Sequence, residues 1–278
     1  MSVDQLVDWF VASQGRMDPA AIPKKRKGQL RLATYNVHFW LGPHQVRGEA
    51  NEEEMLAVIA ATDADVLVLN EFVPVRDTRL MDGLVERLER CGYTHHTVKG
   101  SPSYRDVTYV TVIFSRLPLE EREQLGLCEE RHAVRVCVQG GLSVVGMHLD
   151  VYDDSGQTRV KQVDQVLAKT RQLRNVIFAG DMNALRRKDY SEDEWAKMAA
   201  HDALRKVHLE TGAIDAIEKA GFRDSFESAG PPPKCTTWSG RRIDYVFAKA
   251  LDWKVANSFV VHSAASDHIP VVVDLVPK

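Results

Sequence analysis

From residue 30 to residue 275, short apolar runs rich in Val and Ile alternate with longer stretches of helical period. That alternation admits few layered architectures. The runs predict strands at 30–37, 65–70, 93–98, 107–114, 133–138, 142–148, 175–179, 243–248, 257–262 and 270–275. Helical patterns lie at 51–61, 78–90, 158–173 and 192–220, the last broken near Thr211-Gly212. In 158–173 one stripe carries Val160, Val163, Val166, Leu167 and Leu173, and Gly92 suits a helix stop. Strands in pairs mixed with isolated helices exclude a strictly alternating barrel. Two sheets packed face to face, with helices outside, satisfy the pattern, and polar strand ends then gather on one rim.

Ahead of the first strand, "MSVDQLVDWFVASQG" predicts an amphipathic helix. Ser2 and Gln5 fit a capping box, and Leu6, Val7, Phe10 and Val11 share a face. The other face carries Asp4 and Asp8 rather than lysines, so docking on the protein's own surface is expected, not membrane binding. Residues 12–29 form a polar linker ending in "PKKRKGQ", read as a solvated tether ahead of a nuclear import signal or a phosphate-contacting arm. The domain division expected is 1–29 for this arm and 30–278 for a single domain. No apolar segment is long enough to span a membrane, and the N-terminus lacks the features of a signal peptide. A formal charge of −3 argues against indiscriminate nucleic-acid binding but leaves room for a local positive groove. Cys91, Cys128, Cys137 and Cys235 are scattered without metal spacing, which points to a reducing compartment; Cys137 reads as core. "GPPPK" at 230–234 reads as a rigid loop.

Six segments place polar residues at strand ends where apolar burial does not explain them. They are Asn36 and His38 in "LATYNVH", Glu71 in "VLVLNEF", His148 and Asp150 in "LSVVGMHLD", Asp181 and Asn183 in "VIFAGDMN", Asp244 in "RRIDYVF", and Asp267-His268 in "ASDHIPVVVDL". Any one alone suits a cap or turn. Together they match what phosphodiester hydrolysis requires. A hard Mg²⁺ takes oxygen ligands and needs only one or two carboxylates. A water nucleophile needs a carboxylate to take its proton and an amide to orient it. Charge on phosphorus calls for donors such as histidine, each with a partner that sets its tautomer.

The order Asn36, Glu71, His148, Asp181-x-Asn183, Asp244, Ser266-Asp267-His268 resembles the endonuclease/exonuclease/phosphatase superfamily over residues 30 to 276. The resemblance implies an α/β fold, a four-layer sandwich of two packed mixed β-sheets flanked by helices, with 30–278 as the catalytic domain. It implies that Glu71 is the main Mg²⁺ ligand and that Asn36 helps hold metal and phosphate. Asp267 lies near the metal, directly or through water. Asp181 activates water and Asn183 positions it. His268 stabilises the transition state, oriented by Asp244, and His148 donates to the phosphate or helps the leaving group. Attack is expected in line, with inversion. Gly180 is expected to let the chain turn at the rim, and Met182 to be core. His38 stands where several nuclease branches place an aspartate; it is expected to donate to a phosphate or to pack.

Within the superfamily, "LNEFVPV", "VIFAGDMNALRRKD" and "KCTTWSGRRIDYVF" resemble the 5′-tyrosyl-DNA phosphodiesterase branch. Trp238 is expected either to stack on a base or sugar or to pack under a sheet edge. Arg186 or Arg187 is expected to hold a phosphate or to lie solvated. Asp150 is carried as a further substrate contact. Against that branch the segment 184–222 is an insertion, expected to reshape the groove. The expected activity is Mg²⁺-dependent hydrolysis, Mn²⁺ substituting, of a DNA end or another nucleic acid. Zinc is disfavoured, since no paired His or Cys ligand set is present. A lipid or inositol-phosphate phosphoesterase is the first rival. An inactive scaffold is the second, disfavoured because the metal ligand and water activator are present. A monomer is expected, cytoplasmic or, in a eukaryote, nuclear through Pro23–Lys27.

Overall fold

Strands covered on both faces must be apolar throughout and tend to pair in parallel. β1 (Leu30–Asn36) and β2 (Val66–Asn70) are buried along their whole length and pair in parallel across helix α2 (Glu52–Thr62). The second half of the chain repeats the unit. β7 (Leu142–His148) and β8 (Asn175–Asp181), also fully buried, pair in parallel across α4 (Gln157–Thr170). These features come from a computed structural model that describes residues 3–44, 50–72, 78–97, 110–138, 140–204 and 209–278.

Antiparallel strands widen each parallel pair into a six-stranded sheet. The first sheet adds β3 (His95–His96), β4 (Val112–Ser115), β11 (Trp253–Val260) and β12 (Val271–Pro277), in the order β11-β12-β1-β2-β4-β3. The second adds β5 (Leu119–Gly126), β6 (His132–Val138), β9 (Arg223–Asp224) and β10 (Asp244–Ala250), in the order β5-β6-β7-β8-β10-β9. Val66, Val68, Val271 and Val273 of the first sheet share a core with Val136, Val144, Ile177 and Val246 of the second. Helix α2 and α3 (Thr78–Arg90) cover the outer face of the first sheet through Met55, Ile59, Leu84 and Leu88. Helix α4 and α6 (Gly212–Lys219) cover the second through Val163, Val166, Ile214 and Ile217. The expected four-layer α/β sandwich of two mixed sheets is therefore present.

The sheets approach closely beside β7. A Cβ on Gly146 would stand 2.9 Å from Val68 Cγ1 and 3.0 Å from Thr111 Cγ2, so no side chain fits there. Farther down, a buried bidentate pair joins β1 to β12: Arg31 Nε and Nη2 donate to the two carboxylate oxygens of Asp274 at 2.6 and 3.0 Å. Arg31 also donates to the carbonyls of Pro23 and Thr62, which leaves its buried charge fully partnered.

Several sequence expectations need correction. β5 was not predicted, because its exposed residues on an edge strand show no apolar alternation. The short β9 and α7 (Phe226–Ala229) were likewise missed. The strand expected at 257–262 begins four residues earlier, at Trp253, and residues 98 and 107–109 of two other expected strands lie outside the described residues. The 192–220 pattern is two helices, α5 (Glu192–Leu204) and α6, the latter starting at Gly212 as the break suggested. Cys137 is only half-buried, its thiol 3.6 Å from Glu120 Oε2, because it sits on the outward face of β6.

The arm follows the amphipathic reading in part. Helix α1 (Val3–Gln14) buries Val7 and Phe10, while Ser2 of the expected capping box lies outside the described residues. The basic run is not a free tether. Lys25 Nζ donates to Asp65 Oδ1 at 2.7 Å and to the Asp63 carbonyl at 3.2 Å. The run ends where β1 begins, a full strand away from Asn36.

Candidate active site

Strand register brings the polar ends to one level. Asn36 of β1 lies opposite Asn70 of β2, and Asp181 of β8 lies between His148 of β7 and Asp244 of β10. Because the two parallel pairs end on the same rim, the side chains meet across the sandwich. Asn36 Nδ2 donates to Glu71 Oε1 at 3.1 Å and to Asp181 Oδ2 at 3.2 Å. His148 Nε2 stands 3.8 Å from Glu71 Oε1 and 3.7 Å from Asp181 Oδ2. The loop from β11 to β12 brings in His268, whose Nδ1 donates to Asp244 Oδ2 at 2.8 Å and whose Nε2 lies 3.9 Å from Asp181 Oδ2. Asp267 Oδ1 is 4.0 Å from the same Nε2 and 3.9 Å from His38 Nδ1.

The scaffold holds this cluster with groups that sequence reasoning missed. Asn70, wholly buried, donates to the Met147 carbonyl at 3.0 Å and to Thr111 Oγ1 at 2.9 Å. Its Oδ1 accepts the Asp181 amide proton at 3.1 Å, so one side chain locks β2 to both β7 and β8. The available signal was an asparagine inside the apolar run "VLVLNEF", directly before Glu71. Ser266 Oγ donates to the Asn36 carbonyl at 2.9 Å, and Thr236 Oγ1 accepts from the Ile243 and Asp244 amides, both at 3.1 Å. Gly180 is not a turn residue, as expected from sequence, but lies inside β8. With φ at 145°, a Cβ there would stand 1.8 Å from the Met147 carbonyl oxygen, so glycine is what lets β7 and β8 close up beside Asp181. Met182 is core, as expected.

Backbone strain concentrates at the rim. Glu71 and Asn183 adopt left-handed φ of 54° and 46°, and His38, Phe39 and Trp40 do so consecutively. The surroundings impose this turn: Val37 and Phe39 amides donate to the Asn70 and Glu71 carbonyls, and Trp40 Nε1 donates to the Phe72 carbonyl at 2.8 Å. Asn183 is pinned at both ends, its amide donating to Asp181 Oδ1 at 2.9 Å and its Nδ2 to the Leu149 carbonyl at 3.0 Å.

Burial sets the electrostatics. Desolvation, then the charge of Asp267, pushes the Glu71 carboxyl up to about 7. Desolvation and then Asp244 raise Asp181 too. Desolvation lowers His148 to about 4, which keeps it neutral near pH 7. For His268 burial acts to lower the value, but Asp244 and Asp267 outweigh it and hold the imidazolium well above 6.5. Carboxylates crowded this closely, with Glu71 pushed up to about 7, favour a cation among them. The tightest group of candidate ligand atoms, on Asp181, Asp244 and His268, lies within 4.8 Å, but His268 Nδ1 is already committed to Asp244. Glu71, Asn36 and Asp267 are the neighbouring residues whose oxygens could hold a hard divalent ion.

A cleft of about 520 Å³ opens over the cluster. Its lining includes His38, Glu71, His148, Asp181, Asn183, Trp238, Asp267 and His268. Trp238 is half-exposed, its amide tied to the Asp267 carbonyl at 2.9 Å, so it belongs to the cleft wall and not to a buried sheet edge. The segment 184–222 adds Leu185, Leu209 and Glu210 to the wall. Two expected substrate contacts are corrected. Arg186 is 5% exposed and its guanidinium is surrounded by Asp189, Glu218, Asp224 and Glu227, which leaves it committed to structure. Arg187, its alternative, pairs with Glu192 and lies over the Trp195 ring. Asp150 is buried and accepts from the Tyr152 and Asp153 amides at 2.9 and 2.7 Å, shaping the loop after β7 without lining the cleft. No described helix is long and apolar enough to cross a membrane.

Comparison with known proteins agrees with this fold. A model of the Endonuclease/Exonuclease/phosphatase family matches residues 33–268. An endonuclease/exonuclease/phosphatase from Beutenbergia cavernae superposes with a TM-score of 0.68 at 24% identity, covering 91% of this chain and 72% of that one. A humanized D. rerio TDP2 gives 0.60 at 21% identity, covering 90% and 99% of the two chains. An AP endonuclease from Archaeoglobus fulgidus gives 0.62 at 19%, covering 88% and 98%. Among curated proteins none matches.

Proposed function

This chain belongs to the Endonuclease/Exonuclease/phosphatase family, and we propose that within it the protein is a divalent-metal-dependent phosphodiesterase that hydrolyses nucleic-acid ends. One observation carries the reading. Buried carboxylates crowd against a hydrogen-bonded His268–Asp244 pair at the floor of an open cleft, and Glu71 among them is pushed up to about 7. Glu71, Asn36 and Asp267 would hold the ion, Mg²⁺ or Mn²⁺ by the chemistry of their oxygens. When bound, the ion supplies charge neutralisation at the phosphate.

The chain's own residues divide the remaining work. Asp181 takes a proton from the attacking water, which Asn183 aims. The new oxygen–phosphorus bond forms in line with the one that breaks, with inversion at phosphorus. Protonated His268, fixed by Asp244, neutralises charge on the phosphoryl oxygens. Neutral His148 donates to the phosphate or to the departing oxygen. Trp238 stacks on a base next to the scissile bond. The nucleic-acid preference draws support from relatives whose structures include a D. rerio TDP2 complexed with a single-strand DNA product. A lipid headgroup is the second reading, favoured by one observation: Val151 and Tyr152, 47% and 70% exposed, stand on the loop that follows β7. The test is turnover of 5′-phosphotyrosyl DNA, abasic DNA, single-stranded DNA and RNA, sphingomyelin and phosphoinositide, each with Mg²⁺ and with chelator. Hydrolysis confined to the nucleic acids and lost in chelator is expected. Turnover of the lipids alone, or turnover that survives chelation, would sink the reading.

Metal also links to stability. Glu71 sits higher when folded than its ordinary 4.5, so the stability it confers is complete below 4.5 and lost as pH rises to about 7. His268, also raised, loses its contribution as pH climbs through its folded value above 6.5. His148, lowered to about 4, acts the opposite way only between 4 and 6.5. The metal-free protein should therefore lose melting temperature between about pH 6.5 and pH 8. Saturating Mg²⁺ should restore it at about pH 8 far more than at about pH 5.5, where protons compete for Glu71. Melting curves at both pH values that ignore Mg²⁺ would refute this.

A further inference from the structure

Helix α1 lies outside the residues matched by the family, yet it touches three loops that lead to the cleft. Asp8 Oδ1 is 3.9 Å from His44 Nε2, on the loop that leaves the His38–Trp40 turn. Gln14 Oε1 is 2.8 Å from His262 Nδ1, at the start of the loop that delivers Asp267 and His268. Trp9 packs on the turn that carries Trp238: its Cζ3 is 4.0 Å from where a Cβ on Gly240 would stand. Trp238, Ser239 and Arg241 of that turn line the cleft. Val7 and Phe10, 2% and 0% exposed, seat the helix, while Trp9 keeps 48% of its surface open. Burying Phe10 seats α1, and it leaves a large indole half in water against the turn that carries Trp238.

The cations of the cleft argue for the same kind of contact. Arg159 Nε donates to Glu210 Oε2 at 3.1 Å, and Arg241 Nη2 to Asp202 Oδ1 at 2.5 Å. Both therefore have part of their charge already matched. A wall of this kind does not track a long polyanion by charge; it suits a short strand held by its rings.

We propose that Trp9 extends the cleft as an aromatic subsite, stacking on a nucleobase of a single-stranded substrate beyond the one at Trp238. The proposal rests on the nucleic-acid reading above. The full chain is compared with Trp9→Ala and Trp9→Phe on a short single-stranded DNA and on bis(4-nitrophenyl) phosphate, both with Mg²⁺. Leu251→Ala, a 60%-exposed apolar residue beyond the far end of β10, is the surface control. Trp9→Ala should raise KM for the DNA about ten-fold with little change in kcat, as loss of one stacked base predicts. The ratio of DNA to small-diester kcat/KM falls accordingly, Trp9→Phe restores most of it, and Leu251→Ala leaves it in place. An unchanged ratio in Trp9→Ala overturns the inference alone, as does an equal loss on both substrates, which would make Trp9 a support for the fold. A loss seen only on sphingomyelin vesicles assigns the indole to a lipid surface instead. Wild-type protein that hydrolyses the small diester but no nucleic acid removes the underlying reading and Trp9's part with it.

Discussion

Asp181→Asn is expected to lower kcat by about 10³-fold or more while leaving the fold intact. In the proposed mechanism this carboxylate deprotonates water; it accepts from Asn36 Nδ2 at 3.2 Å and from the Asn183 backbone amide at 2.9 Å. An amide of the same shape keeps one of these contacts and loses the base. It also removes a charge that burial and Asp244 already disfavour. In chelator at about pH 8 the variant should therefore melt no lower than the wild type. That combination separates lost chemistry from lost structure. Activity above about a tenth of wild type would sink the assignment of Asp181 as base.

Arg242→Ala is expected to have the largest effect on stability. The guanidinium is wholly buried, with Nη1 donating to Asp189 Oδ2 at 2.6 Å and Nη2 lying 2.6 Å from Asp224 Oδ2. It lies over the Tyr245 and Phe226 rings at 4.5 and 5.0 Å. Removing it leaves two carboxylates that are 4% and 0% exposed with Arg186, itself shared with two glutamates, as their remaining cation, a change that costs about 3–5 kcal/mol. For a chain of this size the melting temperature should fall by roughly 6–20 °C. Arg242→Lys should recover part of it, keeping the charge without the planar fork. A melting temperature within about 2 °C of wild type would refute the account. Activity should fall as well, because Arg242 directly precedes Ile243 and Asp244, whose amides are held by Thr236.

The candidate site was legible where a residue type contradicted its surroundings. Glu71, Asp181 and Asp244 end strands that are otherwise apolar, so their polarity had to be spent on something other than core. Asn70 contradicted its surroundings just as plainly, but its partners, Met147 and the Asp181 amide, lie 77 and 111 residues away. Gly180 was noticed for the wrong reason: its need is the Met147 carbonyl on the neighbouring strand, not a turn in its own. The edge strand β5 was illegible, because a strand exposed along most of its length carries no periodic signal.

By itself the sequence determined the family and the layers. Apolar strands of alternating order demand a covered sheet, and carboxylate, amide and imidazole at their tips admit few reactions. Only the tertiary structure decided which charged groups remain available for a substrate. Arg186, Arg187 and Asp150 look as free in the sequence as His38 or Trp238. Arg186 is nevertheless claimed by Glu218 and Glu227, 32 and 41 positions along the chain, and Asp150 by the amides of its own loop. Whether a charge is spent is a matter of who stands within hydrogen-bond reach, and that is set by packing across the sandwich rather than by local order along the chain.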